Sequence, residues 1–306
     1  MNLAISPLSG GLGARVELDL ARTTGPAAAR ALTKALHRHR VLILPGQHLN
    51  HADLLAAACL FGAVDTATDR RYTVPGFPGL TVVSNIHDQD GTPIGIYDGD
   101  EEEEWHADNS FKPELTAATL LYSVITPGEG GETRFADATR AYADLPAALR
   151  ARVDTLNAIH CVQHLAARQA DATDGRSSTQ AGTLTQLPEA THPMAPVHPA
   201  TGARALLLGS MVISRVEGLS ETDGRTLLAD LLAHTTSPEY LYTHRWKQGD
   251  LVVWDNLAVL HTASPCDSSR NPRLLVRAAV RQPPRRLGTS DGGIPTAPPT
   301  YVSNRH

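Results

Sequence analysis

From Leu80 onward the chain is cut into short apolar or alternating runs separated by turn residues: LTVVSN, WHADNSF, TAATLLYSVIT and TRFAD, then RALLLG, YLYTHRW, GDLVVWD, LAVLH and RLLVRAAVR. Alternation and β-branched residues mark such runs as strands, and the Gly, Asn, Pro and Ser between them mark turns. A chain with this many short strands must bury one sheet face against another and protect its edges. That predicts an α+β, mainly β, closed or sandwiched architecture of jelly-roll type with peripheral helices, not a doubly wound parallel sheet.

Before Leu80, VELDL at 16–20 reads as a strand and PAAARALTKALHRHR at 26–40 as an Ala-rich helix opened by Pro26. VLILPG at 41–46 reads as a short buried strand, and Asn50 can cap a helix that runs to Gly62. Two later helical stretches lie near Arg140 to Val153 and Ser220 to His234. Residues 86–104 and 166–190 are irregular and long enough to be lid loops, and the Pro/Arg-rich tail 282–306 has little that could pack. With 42% hydrophobic residues, residues 1–281 can fill one large core, so a single domain is expected there.

A formal charge of −5, with no long Lys/Arg block before the tail, argues against nucleic acid as a partner. The longest nearly apolar run, Leu54 to Val64, is too short to span a bilayer, and MNLAISPLSGG has no export-signal pattern. Cys59, Cys161 and Cys266 form no CxxC pair and are expected to be buried thiols. A cytoplasmic protein with no membrane partner is the expectation, and a homo-oligomer is compatible with it.

Chemistry concentrates in Trp105-His106-Ala107-Asp108. On a strand, alternate side chains share a face, so His106 and Asp108 would point together, and His261, which ends GDLVVWDNLAVLH, can supply a third ligand. Two histidines and one carboxylate form a facial triad that suits iron(II) with open positions for a co-substrate and dioxygen. In PRLLVR, Arg273 and Arg277 differ by an even number, so both guanidinium groups face one side of an apolar strand. Such a pair is costly without anions, so a bound dicarboxylate or acidic substrate is implied. His160 and His164 in HCVQH lack the glutamate of HExxH, and neither a GxSxG elbow nor a GxxxxGK[ST] loop is present.

The segments WHADNSF, GEGGETRFADATRAYADLP, HPATGARALLLG, VEGLSETDGRTLLADLLAH and HRWKQGDLVVWDNLAVLH, followed by RLLVRA, resemble the taurine dioxygenase and 2,4-dichlorophenoxyacetate dioxygenase family of iron(II)/2-oxoglutarate oxygenases. The phenoxyacetate branch looks closer, and the likeness runs from about Leu8 to Arg281. The resemblance implies a double-stranded β-helix, cupin-like core. It implies His106, Asp108 and His261 as iron ligands, and Thr133 with Arg273 as holders of the distal carboxylate of 2-oxoglutarate. It gives Arg277 to the substrate anion or the proximal carboxylate. Leu257 stands where the family commonly has an arginine bracing the WDN turn.

The implied reaction hydroxylates or desaturates a small organic substrate while 2-oxoglutarate and dioxygen become succinate and carbon dioxide, and natural-product biosynthesis is one setting for it. The alternatives are a non-redox metal hydrolase or isomerase on the same triad, and an inactive binding module. Thr133, Arg273 and Arg277 separate these, because neither alternative needs a dicarboxylate clamp. Tyr97, Glu102 and Arg71 join Arg277 as candidate substrate contacts. Six acidic residues among the seven positions from Asp98 to Glu104 lead to the expectation of a substrate that is neutral or amine-bearing beyond the part that meets Arg277.

Overall fold

VLIL at 41–44 and LVVWD at 251–255 are buried at every position, the signature of strands covered on both faces. The architecture that covers them is seen in a computed structural model, which describes residues 3–67, 70–96, 103–163, 189–209 and 211–281. In chain order the strands are β1 (Ala4–Pro7), β2 (Ala14–Glu17), β3 (Val41–Leu44), β4 (Ala63–Val64), β5 (Thr73–Val74), β6 (Phe77–Ser84), β7 (Thr116–Ile125) and β8 (Thr133–Asp137). They continue as β9 (Asn157–His160), β10 (Ala190–Pro193), β11 (Ile213–Val216), β12 (Leu241–His244), β13 (Leu251–Asp255), β14 (Val259–Ala263) and β15 (Leu274–Arg281).

The large sheet runs β1-β2-β3-β13-β7-β15-β6-β5, with β4 also on β15. A small sheet, β12-β8-β14, lies against it, and β10-β9-β11 forms a third. The pairings are antiparallel except β2 with β3. The fold is therefore α+β and mainly β, as expected.

Three apolar layers fix the stacking. Leu32 and Leu36 of the helix Pro26–His39 and Leu54, Ala57 and Ala58 of the helix His51–Cys59 cover Leu42, Leu44, Leu120, Val253 and Val276 on one face of the large sheet. Between the large and small sheets lie Val41, Ile43, Leu121, Phe135, Val252, Trp254, Val259 and Leu275. Beyond the small sheet, Ala136 and Leu260 pack with Leu206, Leu207, Leu208 and with Leu227 and Leu231 of the helix Glu221–Thr235.

Several local expectations change. Asn50 does cap its helix, through a capping box with Asp53, and Ser220 caps Glu221–Thr235. The stretch from Arg140 to Val153 is two short helices, Ala138–Ala143 and Ala147–Val153, because Pro146 cannot continue the first and instead precedes the second. RALLLG is not a strand: Leu206 N–H donates to Ala138 O at 3.2 Å and Leu207 N–H to Met194 O at 2.9 Å, so its backbone serves two different neighbours. Cys59 is exposed, while Cys161 and Cys266 are buried, and all three are free thiols. Among the described residues no helix is long and apolar enough to cross a membrane.

Candidate functional site

WHADNSF is not a strand either, and the difference explains how its two polar side chains are aimed. Only His106 bridges to a strand: its N–H donates to His261 O at 3.0 Å, and His261 N–H returns to His106 O at 2.9 Å. Past that bridge the side chain of Asn256 takes over the backbone. Asp108 N–H donates to Asn256 Oδ1 at 2.9 Å, and Asn256 Nδ2 donates back to Asp108 O at 3.0 Å. The chain then turns away with Asn109 at φ 53°, a left-handed conformation that Asn tolerates. Asn256 comes from the WDN turn that leads into β14, so a single turn fixes both His261 and the backbone of Asp108.

The result is one cluster. One ligand atom from each of His106, Asp108 and His261 lies within 4.8 Å of the others, and the two imidazole centroids are 4.2 Å apart. His106 Nδ1 sits 2.7 Å from the carbonyl oxygen of Glu104, which can only accept, so Nδ1 carries the proton and the Nε2 lone pair is free. His261 Nε2 stands 3.7 Å from Asp108 Oδ2. Thr119 Oγ1 donates to Asp108 Oδ2 at 2.7 Å, and Arg277 Nη1 reaches Oδ1 at 3.1 Å.

Burial would raise the Asp108 carboxyl, but Arg277, then the two histidines and the Thr119 hydroxyl, outweigh it and hold it at about 2. Desolvation, with His106 beside it, pushes His261 down to about 3. At neutral pH the cluster thus presents the Asp108 carboxylate and a neutral His261 imidazole, the protonation states that a divalent metal requires of them. Two nitrogens and one oxygen donor suit a first-row transition ion such as iron(II).

The cluster opens on a cavity walled by Val83, Ile96, Glu103, His106, Asp108, Leu121, Thr133, Trp254, His261, Thr262, Ala263, Arg273 and Arg277. Thr133, Arg273 and Arg277 therefore share one space with the triad. Arg273 is 1% exposed, and its Nε donates to Gly131 O at 3.2 Å. Trp254 is both core and wall, packing on His261 with centroids 4.8 Å apart. Trp105 instead stacks outside the cavity under Arg134, whose guanidinium carbon is 5.4 Å from its ring centre.

Arg71 is exposed with its guanidinium over the Tyr72 ring, and it does not line the cavity. Tyr97, Glu102 and the other residues of 97–102 lie outside the described residues, as do 164–188 with His164, and the tail 282–306. Of the acidic run, Glu103 is seen in the cavity wall, with Oε1 3.7 Å from His106 Nε2.

Sequence reasoning missed a second cluster, His37, His198 and Asp255. Ala200 and Thr201 N–H groups donate to His198 Nδ1 at 3.1 and 3.2 Å, which puts the proton on Nε2, 3.0 Å from Asp255 Oδ2. His198 is thus a donor to Asp255, and Asp255 Oδ1 in turn accepts from Leu257 N–H at 3.1 Å. The pair braces the WDN turn that carries Leu257.

The chain is 31% identical over 284 residues to the alpha-ketoglutarate-dependent 2,4-dichlorophenoxyacetate dioxygenase of Cupriavidus pinatubonensis, covering 90% of this chain and 96% of that protein. It is also 31% identical to pentalenolactone F synthase of Streptomyces arenae, covering 88% and 89%. A solved taurine dioxygenase from Burkholderia xenovorans superposes with a TM-score of 0.74 at 27% identity, over 92% of this chain and 90% of that one. Residues 4–279, the span that contains every wall of the cavity, match the taurine catabolism dioxygenase TauD, TfdA family, and the chain belongs to that family.

Proposed function

We propose that this chain oxidises a small organic substrate at a site made by His106, Asp108 and His261 as metal ligands, with Thr133 and Arg273 holding 2-oxoglutarate by its distal carboxylate. The family uses iron(II) and 2-oxoglutarate, and the enzyme is a 2-oxoglutarate-dependent dioxygenase. The observation that carries the residue assignment is the shared cavity, whose wall holds the charge-ready triad together with the Thr133 hydroxyl and the buried Arg273 guanidinium. The facing large and small sheets are read as a double-stranded β-helix, residues 1–281 as one catalytic domain, and the protein as cytoplasmic.

Iron(II) held by His106, Asp108 and His261 would supply the dioxygen chemistry that couples decarboxylation of 2-oxoglutarate to oxidation of the substrate. The chain's own part is to hold and exclude. Asn256 and Thr119 fix Asp108, the Glu104 carbonyl fixes the tautomer of His106, and Trp254 and Leu121 keep water from the buried side of the cavity. Hydroxylation is the expected outcome. The likeness to pentalenolactone F synthase supports a place in natural-product biosynthesis. Glu103 in the cavity wall supports a substrate that is neutral or amine-bearing away from Arg277.

Anaerobic addition of iron(II) and 2-oxoglutarate should produce a weak visible charge-transfer band. His106→Ala, Asp108→Ala or His261→Ala should each abolish that band and succinate formation while the circular dichroism of the fold persists. A variant that keeps near wild-type turnover with stoichiometric iron removes its residue from the ligand set.

A further inference from the structure

We infer that Trp246 is a positioning residue for 2-oxoglutarate: its indole N–H fixes the hydroxyl of Thr133 so that the hydroxyl proton faces the distal carboxylate beside Arg273. The inference rests on the proposed role of Thr133 and Arg273. Thr133 begins β8, is 3% exposed and lines the cavity with Arg273. A hydroxyl has one proton and two lone pairs, and it can present either to its surroundings. Indole nitrogen can only donate, and a carboxylate can only accept. Trp246 Nε1 donates to Thr133 Oγ1 at 3.1 Å, so one lone pair of the hydroxyl is committed and its proton is left for another acceptor. An oxygen of a carboxylate held by Arg273 is such an acceptor.

The indole is itself held. Register pairs His244 of β12 with Thr133, and Trp246 follows two residues later, 8% exposed in the layer between the sheets. The His244 ring stands edge-on to it, with centroids 4.6 Å apart at 85°. His244 is held at Nδ1, 3.0 Å from Tyr242 Oη, while its Nε2 lies 3.2 Å from Asp250 Oδ2 without a hydrogen bond. Lys247 N–H donates to Asp250 Oδ2 at 3.0 Å, which closes the loop that carries Trp246. The HRWKQGD segment thus does more than connect β12 to β13.

The test compares two acids that share the 2-oxo acid end, 2-oxoglutarate and 2-oxobutyrate, of which only the first has a distal carboxylate. Both are titrated anaerobically into the iron(II)-loaded full chain by calorimetry. Trp246→Phe should weaken 2-oxoglutarate about five- to tenfold, the worth of one oriented hydrogen bond, and change 2-oxobutyrate by less than about twofold. In a Thr133→Val background, Trp246→Phe should add less than about twofold. Substitution of Trp246 by β-(3-benzothienyl)alanine, which keeps the ring shape and lacks only the N–H, should reproduce the phenylalanine result. Equal losses for both acids, or a loss that survives in the Thr133→Val background, would overturn the role of Trp246. If Thr133→Val itself fails to distinguish the two acids, the assignment of Thr133 falls first and that of Trp246 with it.

Discussion

Asp108 is held by groups from three separate stretches of chain: Arg277 on β15, Thr119 on β7 and Asn256 in the WDN turn. That convergence gives the two cavity arginines different work. Arg273 is buried and oriented by the carbonyl of Gly131, two residues before Thr133, whereas Arg277 is partly exposed and already engages the Asp108 carboxylate. Arg273→Ala should therefore weaken 2-oxoglutarate by about a hundredfold and spare 2-oxobutyrate, since it removes a charge-assisted pair with the distal carboxylate. Arg277→Ala should weaken both acids alike, because it acts at the metal end. Anaerobic titration of each variant with both acids checks this, and the reverse pattern would exchange the two assignments along β15.

The turn before β8 shows how an element, and not a side chain, can set an affinity. Gly130 has φ +73°, and a Cβ there would lie 2.4 Å from the carbonyl oxygen of Pro265. Gly131 has φ +67°, and its Cβ would meet Arg273 Cδ at 3.0 Å. Both substitutions strain the backbone, at about 1 kcal/mol or more. Gly130→Ala, pressed against rigid backbone, should lower the urea midpoint more than Gly131→Ala, while Gly131→Ala should cost more in 2-oxoglutarate affinity by displacing Arg273. The GEGGET motif made this turn legible in the sequence, as short apolar runs bounded by turn residues did for β6, β7, β13, β14 and β15. What stayed hidden depended on distant partners. WHADNSF alternates like a strand, but Asn256 occupies the backbone groups that a ladder would need, and RALLLG divides its hydrogen bonds between Ala138 and Met194. His198 carries no local sign that it will brace Asp255, fifty-seven residues away.

Across the whole molecule, the buried histidines tie stability to pH. His160 closes β9 fully buried, with Nδ1 3.1 Å from Ser110 Oγ and its ring 5.2 Å from that of His192. Desolvation first, then the neighbouring His192, lowers it to about 3, and desolvation lowers His192 as well. Unfolding returns each to about 6.5, so between those values the unfolded chain binds more protons than the folded one. Stability from this source is complete above about pH 6.5 and is lost as pH falls toward 3. Each such proton contributes a slope of about 1.4 kcal/mol per pH unit inside that window. Asp108 acts in the same direction only at lower pH, since its carboxyl is held at about 2 against an ordinary value of 3.8. His160→Gln removes the titration while keeping a polar partner for Ser110. Urea unfolding at several pH values from 4.5 to 7.5 should show the wild-type slope reduced by about one proton in this variant, with the two curves running parallel above pH 7. An unchanged slope would mean that His160 is protonated inside the fold and that the interior between β9 and the Ser110 turn is not dry.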